Sequence, residues 1–242
     1  MSLRFKTSLL LTAAFALLQS FDAHAESSLV GTIDGNQYIS PTTAFRVTIP
    51  VIADLGGSIT DTDNVVSFQD DFTTHQSIAC FKMDERLRHE DETRGRKDYL
   101  IWFFANFVQA DFQQRFAGAR IESAHFLHST QDGTLLTYNL LPGGTMFANR
   151  IGVVNIGNVP VAKRGNLLFV KNGFVFVVSM ELAEKVLEGS SYSKTVAEED
   201  AELRQRLLSF LDKITFASLP VLPPAASETT KSAQKPASVP AK

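Results

Sequence analysis

Apolar residues alternate with polar ones at Phe45, Val47 and Ile49, with Arg46 and Thr48 between them. Period two predicts a half-buried strand, which Pro50 ends. Ahead of it the strand-like stretch Leu29 to Ile33 meets Asp34-Gly35, a hairpin dipeptide. Val65 to Phe68 predicts the next strand and Gln76 to Phe81 the one after. Asp70 to His75 lie between them as a polar connection, because Asp and Thr side chains bond nearby backbone. At Lys97 the period changes to that of a helix. Leu100, Phe103, Phe104, Phe107 and Val108 fall on one face of a helix over residues 97–109, and Trp102 points the other way. A straight helix would carry Asp111 onto the apolar face. A break near Ala110 is therefore expected, with Asp111 capping a short second turn before Gly118.

The stretch before that helix, 84–98, carries six acids and five bases. Asp84/Arg88, Glu90/Arg94 and Glu92/Arg96 are acid-to-base pairs at helical spacing, and Gly95 weakens the pattern. A solvated arm is expected there, with the Phe face of residues 97–109 packed on a sheet. Alternation then returns in two hairpins. Gln131-Asp132-Gly133 turns one, and Asn172-Gly173 turns the other. Leu167 to Val170 and Phe174 to Val178 are apolar at both parities, so both faces of their strands are covered. Residues 141–165, apolar yet rich in Gly and Asn, read as a strand plus a loop. That loop either packs on a partner or merely joins the hairpins. Thr195-x-x-Glu198 is a capping box, and Leu203, Leu207, Phe210, Leu211 and Ile214 form an amphipathic stripe behind it. Helices segregated from antiparallel hairpins predict an α+β domain, an antiparallel sheet flanked by helices.

Tyr38-x-Ser40-Pro41 running into Phe45-x-Val47-x-Ile49-Pro50, then hairpins and a helix, then the helix ending Leu207 to Phe216, resembles the PsbP-like family. That family includes the photosystem II extrinsic protein and some bacterial exported relatives. The likeness spans about residues 28–217 in order and pattern. It implies an α-β-α sandwich and a non-catalytic accessory or binding role, and it supplies no functional residue.

The two ends of the chain read differently from its middle. Arg4 and Lys6, the apolar run Leu9 to Leu18, and Ala23-His24-Ala25 form a secretory signal peptide with cleavage after Ala25. No cysteine follows the run, so lipid attachment is not offered. Phe174 to Met180 is only strand-length, which leaves no integral membrane segment after cleavage. Residues 26–217 then make one domain. Residues 218–242, dominated by Pro, Ala, Ser and Lys, are expected to be disordered. Cleavage removes two bases and one acid from a chain of net charge −3. A mildly acidic mature protein is a poor match for nucleic acid. No Asn-x-Ser/Thr acceptor occurs in residues 26–242, which leans toward a bacterial periplasm.

Candidate chemistry concentrates in FQDDFTTHQSIACF, residues 68–81. Cys80 is the single cysteine and shares the parity of Ile78, so it is expected buried and inert. His75 lies five residues away, on the opposite strand face. Asp61, Asp63 and Asn64 begin like a calcium loop, but Val65 and Val66 stand where Asp and Gly are needed. His125 and His128, three apart on a strand, face opposite sides. There is no G-x-S-x-G, no G-x-G-x-x-G, no P-loop and no H-E-x-x-H. No catalytic, cofactor-binding or metal residue is assigned, and no cofactor. The expectation is an exported periplasmic protein, non-enzymatic, that binds a protein partner or assists envelope or complex assembly. Glycoside hydrolysis needs only two carboxylates and leaves no motif, so an exported hydrolase with a dispersed site stands as the alternative.

Overall fold

The computed structural model describes residues 29–147 and 159–217. The signal segment 1–25, the tail 218–242 and part of the 141–165 segment lie outside the described residues.

Eleven described strands make two antiparallel sheets. The small sheet has the order β1-β2-β3-β11, from β1 (Thr32–Asp34), β2 (Gln37–Ile39), β3 (Phe45–Thr48) and β11 (Ile214–Phe216). The large sheet runs β4-β5-β6-β10-β9-β8-β7. Its members are β4 (Ser58–Asp61), β5 (Val65–Gln69), β6 (His75–Lys82), β7 (Arg120–Leu127), β8 (Thr134–Pro142), β9 (Val161–Lys171) and β10 (Phe174–Glu181). The helices are α1 (Glu85–Arg94), α2 (Arg96–Phe103), α3 (Gln109–Arg115), α4 (Ala183–Leu187) and α5 (Val196–Leu211). This is the α+β class that the pattern predicts. No described helix is long and apolar enough to cross a membrane.

The hairpins form where their turn residues allow. Asn172 and Gly173 both have positive φ, 51° and 77°, the geometry that matches strand twist in a two-residue loop. In the β1–β2 hairpin Asp34 pairs with Gln37, so Gly35-Asn36 is the connecting pair, one residue later than the pattern suggests.

Both faces of the central strands are covered. On one face Leu167, Phe169, Phe176 and Val178 pack under the small sheet and under Leu203, Leu207 and Phe210 of α5. Phe45 and Phe216 bring the small sheet onto Phe176, with ring centroids 6.0 and 4.9 Å away. The capping box of Thr195 and Glu198 starts α5. Ile214 belongs to β11, not to that helix, and pairs with Val47. The flanking layer on this face is thus shared between a helix and a second sheet.

On the other face Tyr99, Leu100, Phe103 and Phe104 pack against Leu135, Leu168, Val175 and Val177. The expected break near Ala110 is not there. Phe104–Val108 form one π turn and α3 continues to Arg115. The wider turn takes in an extra residue and shifts the phase of the stripe. Phe107 consequently ends 40% exposed. Phe112 turns inward in place of Asp111, which bonds Arg115 at 2.9 Å on the surface.

The charged arm is helical, with Asp84 accepting from Leu87 N at 2.8 Å. Of the three predicted pairs Glu90–Arg94 forms, at 2.6 Å. Arg96 instead takes Asp91, at 3.0 Å, and reaches the Val170 carbonyl. The arm is not wholly in water, since Leu87 is buried beside Met83.

Candidate functional site

The stretch 68–81 is structural. Asp70 Oδ1 accepts from Phe72 N at 2.8 Å and Thr74 N at 2.9 Å, closing the turn between β5 and β6. Burial works against its charge, but these bonds and the Thr74 hydroxyl outweigh that and hold the carboxyl below its usual range. Cys80 is buried with Ile78 and Val66, and burial pushes its thiol up to about 12. His75 is not part of the polar connection. It opens β6 as a buried residue, its ring edge-on to Phe147 at 6.2 Å. Burial first, then the Arg164 charge, lower its pKa to about 3. A neutral imidazole and an un-ionised thiol on opposite strand faces make no nucleophile–base pair.

Asp61 serves the backbone. Its oxygens accept from Val30 N at 3.0 Å, Gly31 N at 2.7 Å and Tyr38 Oη at 2.8 Å, tying the residues just ahead of β1 to β4. His125 faces Tyr138, and His128 stacks edge-on to Phe126. Among the described residues no three His, Cys, Asp or Glu side chains group as metal ligands would.

Two polar assemblies escaped the sequence reading. Beneath α5, Lys163 Nζ is fully buried and meets Asp200 at 2.6 Å, Glu122 at 2.5 Å and Glu199 at 3.0 Å. Lys185 adds a second cation to Glu199, at 2.5 Å. Burial opposes the Lys163 charge, yet the three carboxylates outweigh it and raise its pKa. A bulge between Ile121 and Ser123 gives β7 one extra residue, and that residue, Glu122, reaches Lys163. On the opposite face a buried belt crosses three strands. Ser179 Oγ donates to Asn166 Oδ1 at 2.8 Å, and Asn166 Nδ2 donates to Asn139 Oδ1 at 3.0 Å. Asn139 Nδ2 then donates to Gln109 Oε1 at 2.7 Å, just after the π turn. Each strand position looks like an ordinary polar residue in sequence; only the register of β8, β9 and β10 lines them up.

Among the described residues two larger hollows open to solvent. A trough of about 750 Å³ runs along α5, lined by Gln76, Met180, Glu202, Gln205, Ser209 and Lys213 among others. A groove of about 280 Å³ lies between α2 and the edge strand β7. Ile101, Phe104, Ala105, Ile121, Ala124 and Phe126 give it a mainly apolar lining. Ile101 and Ile121 are each 44% exposed on its walls. No sequence signal marks this groove. Ile101 falls off the predicted Phe stripe, and Ile121 reads as one side of an ordinary strand.

No protein-family model matches the chain, and no curated protein sequence matches it. Solved structures do. The chain is similar to PsbP of the cyanobacterium Synechocystis sp. PCC 6803, at 13% identity and TM-score 0.47, covering 78% of this chain and 99% of that one. It is also similar to the Ran-binding protein Mog1p of Saccharomyces cerevisiae, at 9% identity and TM-score 0.42, covering 78% and 96%. A Bacteroides thetaiotaomicron protein aligns at 10% identity and TM-score 0.41 over 77% of this chain, which spans 50% of that protein's length. These are fold-level resemblances at low identity, and they transfer no site.

Proposed function

We propose that the protein is an exported, non-enzymatic accessory protein that holds a protein partner in the groove between α2 and β7. The observation that supports this is the pairing of exposed Ile101 and Ile121 on the walls of an apolar hollow beside the outer strand of a sheet. Apolar hollows with a few polar groups are where ligands bind, and exposed apolar surface next to an open strand edge attracts a partner. The trough along α5 supports the hydrolase alternative less well. Its carboxylates are already engaged: Glu198 accepts from Thr195, while Glu202 holds Lys194 and Arg206.

In this reading residues 1–25 are removed on export to the periplasm, 26–217 form the working domain, and 218–242 trail from it as a tether. Mass spectrometry of the exported protein should find Glu26 as the first residue; an intact Met1 would contradict export by cleavage. Ile101→Glu combined with Ile121→Lys should leave the melting temperature in place and abolish cross-linking of partners to the groove. Unchanged cross-linking would move the contact elsewhere.

A further inference from the structure

Three groove positions of β7 do not fit one unbroken strand. Ile121, Ala124 and Phe126 all line the hollow. Successive strand residues face opposite sides, so Ala124 and Phe126 share a face, and Ile121, three before Ala124, belongs on the other. The ladder to β8 explains why it does not lie there. Ile121 stands opposite Asn139 and Ser123 opposite Tyr138, which leaves Glu122 as an extra residue between two neighbouring positions of β8. Asn139 belongs to the buried belt on the α2 and α3 side, where it bonds Gln109. Leu136 and Tyr138 pack on the α5 side. The bulge thus resets the phase of β7 and carries Ile121 back to the groove.

A bulge leaves a residue unpaired and interrupts the ladder, and a one-residue slip at the start of β7 would remove it. Glu122 would then stand opposite Asn139 and Ile121 opposite Leu140, each on the face it now avoids. Leu140 pairs with Lys163, whose ammonium meets α5, so Ile121 would leave the groove and Glu122 would enter it. The slip would also break the contact of Glu122 with Lys163 Nζ at 2.5 Å. Lys163 cannot follow a moving strand. It is fully buried and held by Asp200 at 2.6 Å and Glu199 at 3.0 Å, both on α5. The Tyr138 ring lies 5.4 Å from its ammonium, and Tyr138 Oη bonds the Asp200 carbonyl at 2.7 Å. After the bulge, Ser123 Oγ donates to Asp200 Oδ2 at 3.4 Å. Before it, Gln109 Nε2 donates to the Ala119 carbonyl at 3.1 Å, a neutral bond that also resists the slip. The Glu122–Lys163 contact is charged on both sides, and bonds to ionised groups are roughly twice as strong as neutral ones.

We propose that Glu122 is a positioning residue for the groove. Its ion pair to buried Lys163 holds the bulge, and the bulge turns Ile121 onto the wall that the partner meets. That last step rests on the groove being the contact surface. The pair also ties the groove to α5, because the carboxylates that fix Lys163 from the other side belong to that helix.

Backbone NMR of the mature chain reads the register as cross-strand contacts, Ile121 to Asn139 in the native protein. Glu122→Val removes the carboxylate and leaves Lys163 with Asp200 and Glu199, so the chain should fold. Position 122 should then stand opposite Asn139 and Ile121 opposite Leu140, while the pairs from Ser123 to Leu127 stay in place. Glu122→Gln, the milder change, should show both registers in exchange. Deletion of Glu122 is the opposite case. It loses the same carboxylate together with the extra residue, so Ile121 should remain opposite Asn139. A photo-cross-linking amino acid at Ile101, in cells that express the full chain, should lose its adducts with Glu122→Val and keep them with the deletion.

Ile121 opposite Asn139 alone in both Glu122→Val and Glu122→Gln overturns the proposal, and so does a deletion that turns Ile121 to the α5 side. If Glu122→Val does not fold, Glu122→Gln decides by the same criterion. A register that moves while the Ile101 adducts persist upholds the positioning by Glu122 and overturns the groove as the contact surface.

Discussion

The large sheet is covered on both faces, and the two coverings differ in kind. Under α5 and the small sheet the core is continuous, running from Tyr38 and Phe68 through Phe176 to Leu207 and Phe210. Its charges gather at one flank, where three carboxylates surround Lys163. Under α1 to α3 the apolar contacts split into two clusters, one around Tyr99 and Phe103 and one around Phe112 and Leu141. Between them runs the belt from Ser179 to Gln109, and over it the helix makes its π turn. On the first face α5 keeps one helical phase along its whole length, with its buried charges confined to the Lys163 cluster. On the second the phase breaks at the π turn above a buried polar belt, and such departures gather where a surface has work to do. The groove opens beside the same π turn, with Phe104 and Ala105 in its wall.

The comparison breaks most sharply in the core. Phe176→Ala should cost about 4–5 kcal/mol and Phe104→Ala about 3 kcal/mol, because Phe176 touches rings from both sheets while Phe104 belongs to a smaller cluster. Denaturant midpoints read both, and equal losses would say the two faces contribute alike. Lys163→Met should cost about 3 kcal/mol by leaving buried Glu199 short of a counter-charge. Adding Glu199→Gln should recover part of that loss. No recovery would mean the cluster acts by packing alone.

An effect of about 2 kcal/mol is expected from pH. His75 has its pKa lowered to about 3, against 6.5 when unfolded. The unfolded chain therefore takes up a proton that the fold refuses. Stability is full above pH 6.5 and is lost as pH falls toward 3. Between pH 6.5 and 4.5 this loss stands apart from that of Glu199, whose lowered pKa withdraws stability only below about 4.5. His75→Phe should flatten the denaturation midpoint across that upper window; an unchanged slope would place the proton elsewhere. Smallest is Asn166→Ala, about 1–2 kcal/mol from stranding Asn139 and Ser179 in the belt. A stabilising result would show the belt is maintained for something other than the fold.

Much of the architecture was readable from period and turn chemistry. Asn172-Gly173, the Thr195–Glu198 box and the doubly apolar strands each depend on residues adjacent in sequence. The two faces were not equally readable. Helix phase was carried correctly as far as Phe104 and then lost, because the π turn adds a residue that no local pattern announces, and with it went Phe107, Asp111 and Phe112. Lys163 looked like any strand lysine, since its three acids come from β7 and α5. His75 looked like a turn residue beside Asp70 to Thr74, and only the packing of Phe147 explains its burial. The groove needs Ile101 and Ile121 on the walls of one hollow, a long-range fact of packing that neither position carries alone.

The central claim is that the groove face makes contacts and the α5 face holds the fold. It is tested most directly by placing a photo-cross-linking amino acid at Ile101, and separately at exposed Arg204 on α5, and irradiating cells that express the full chain. A discrete adduct from Ile101 and none from Arg204 is the predicted result. An adduct from Arg204 with none from Ile101 would contradict it.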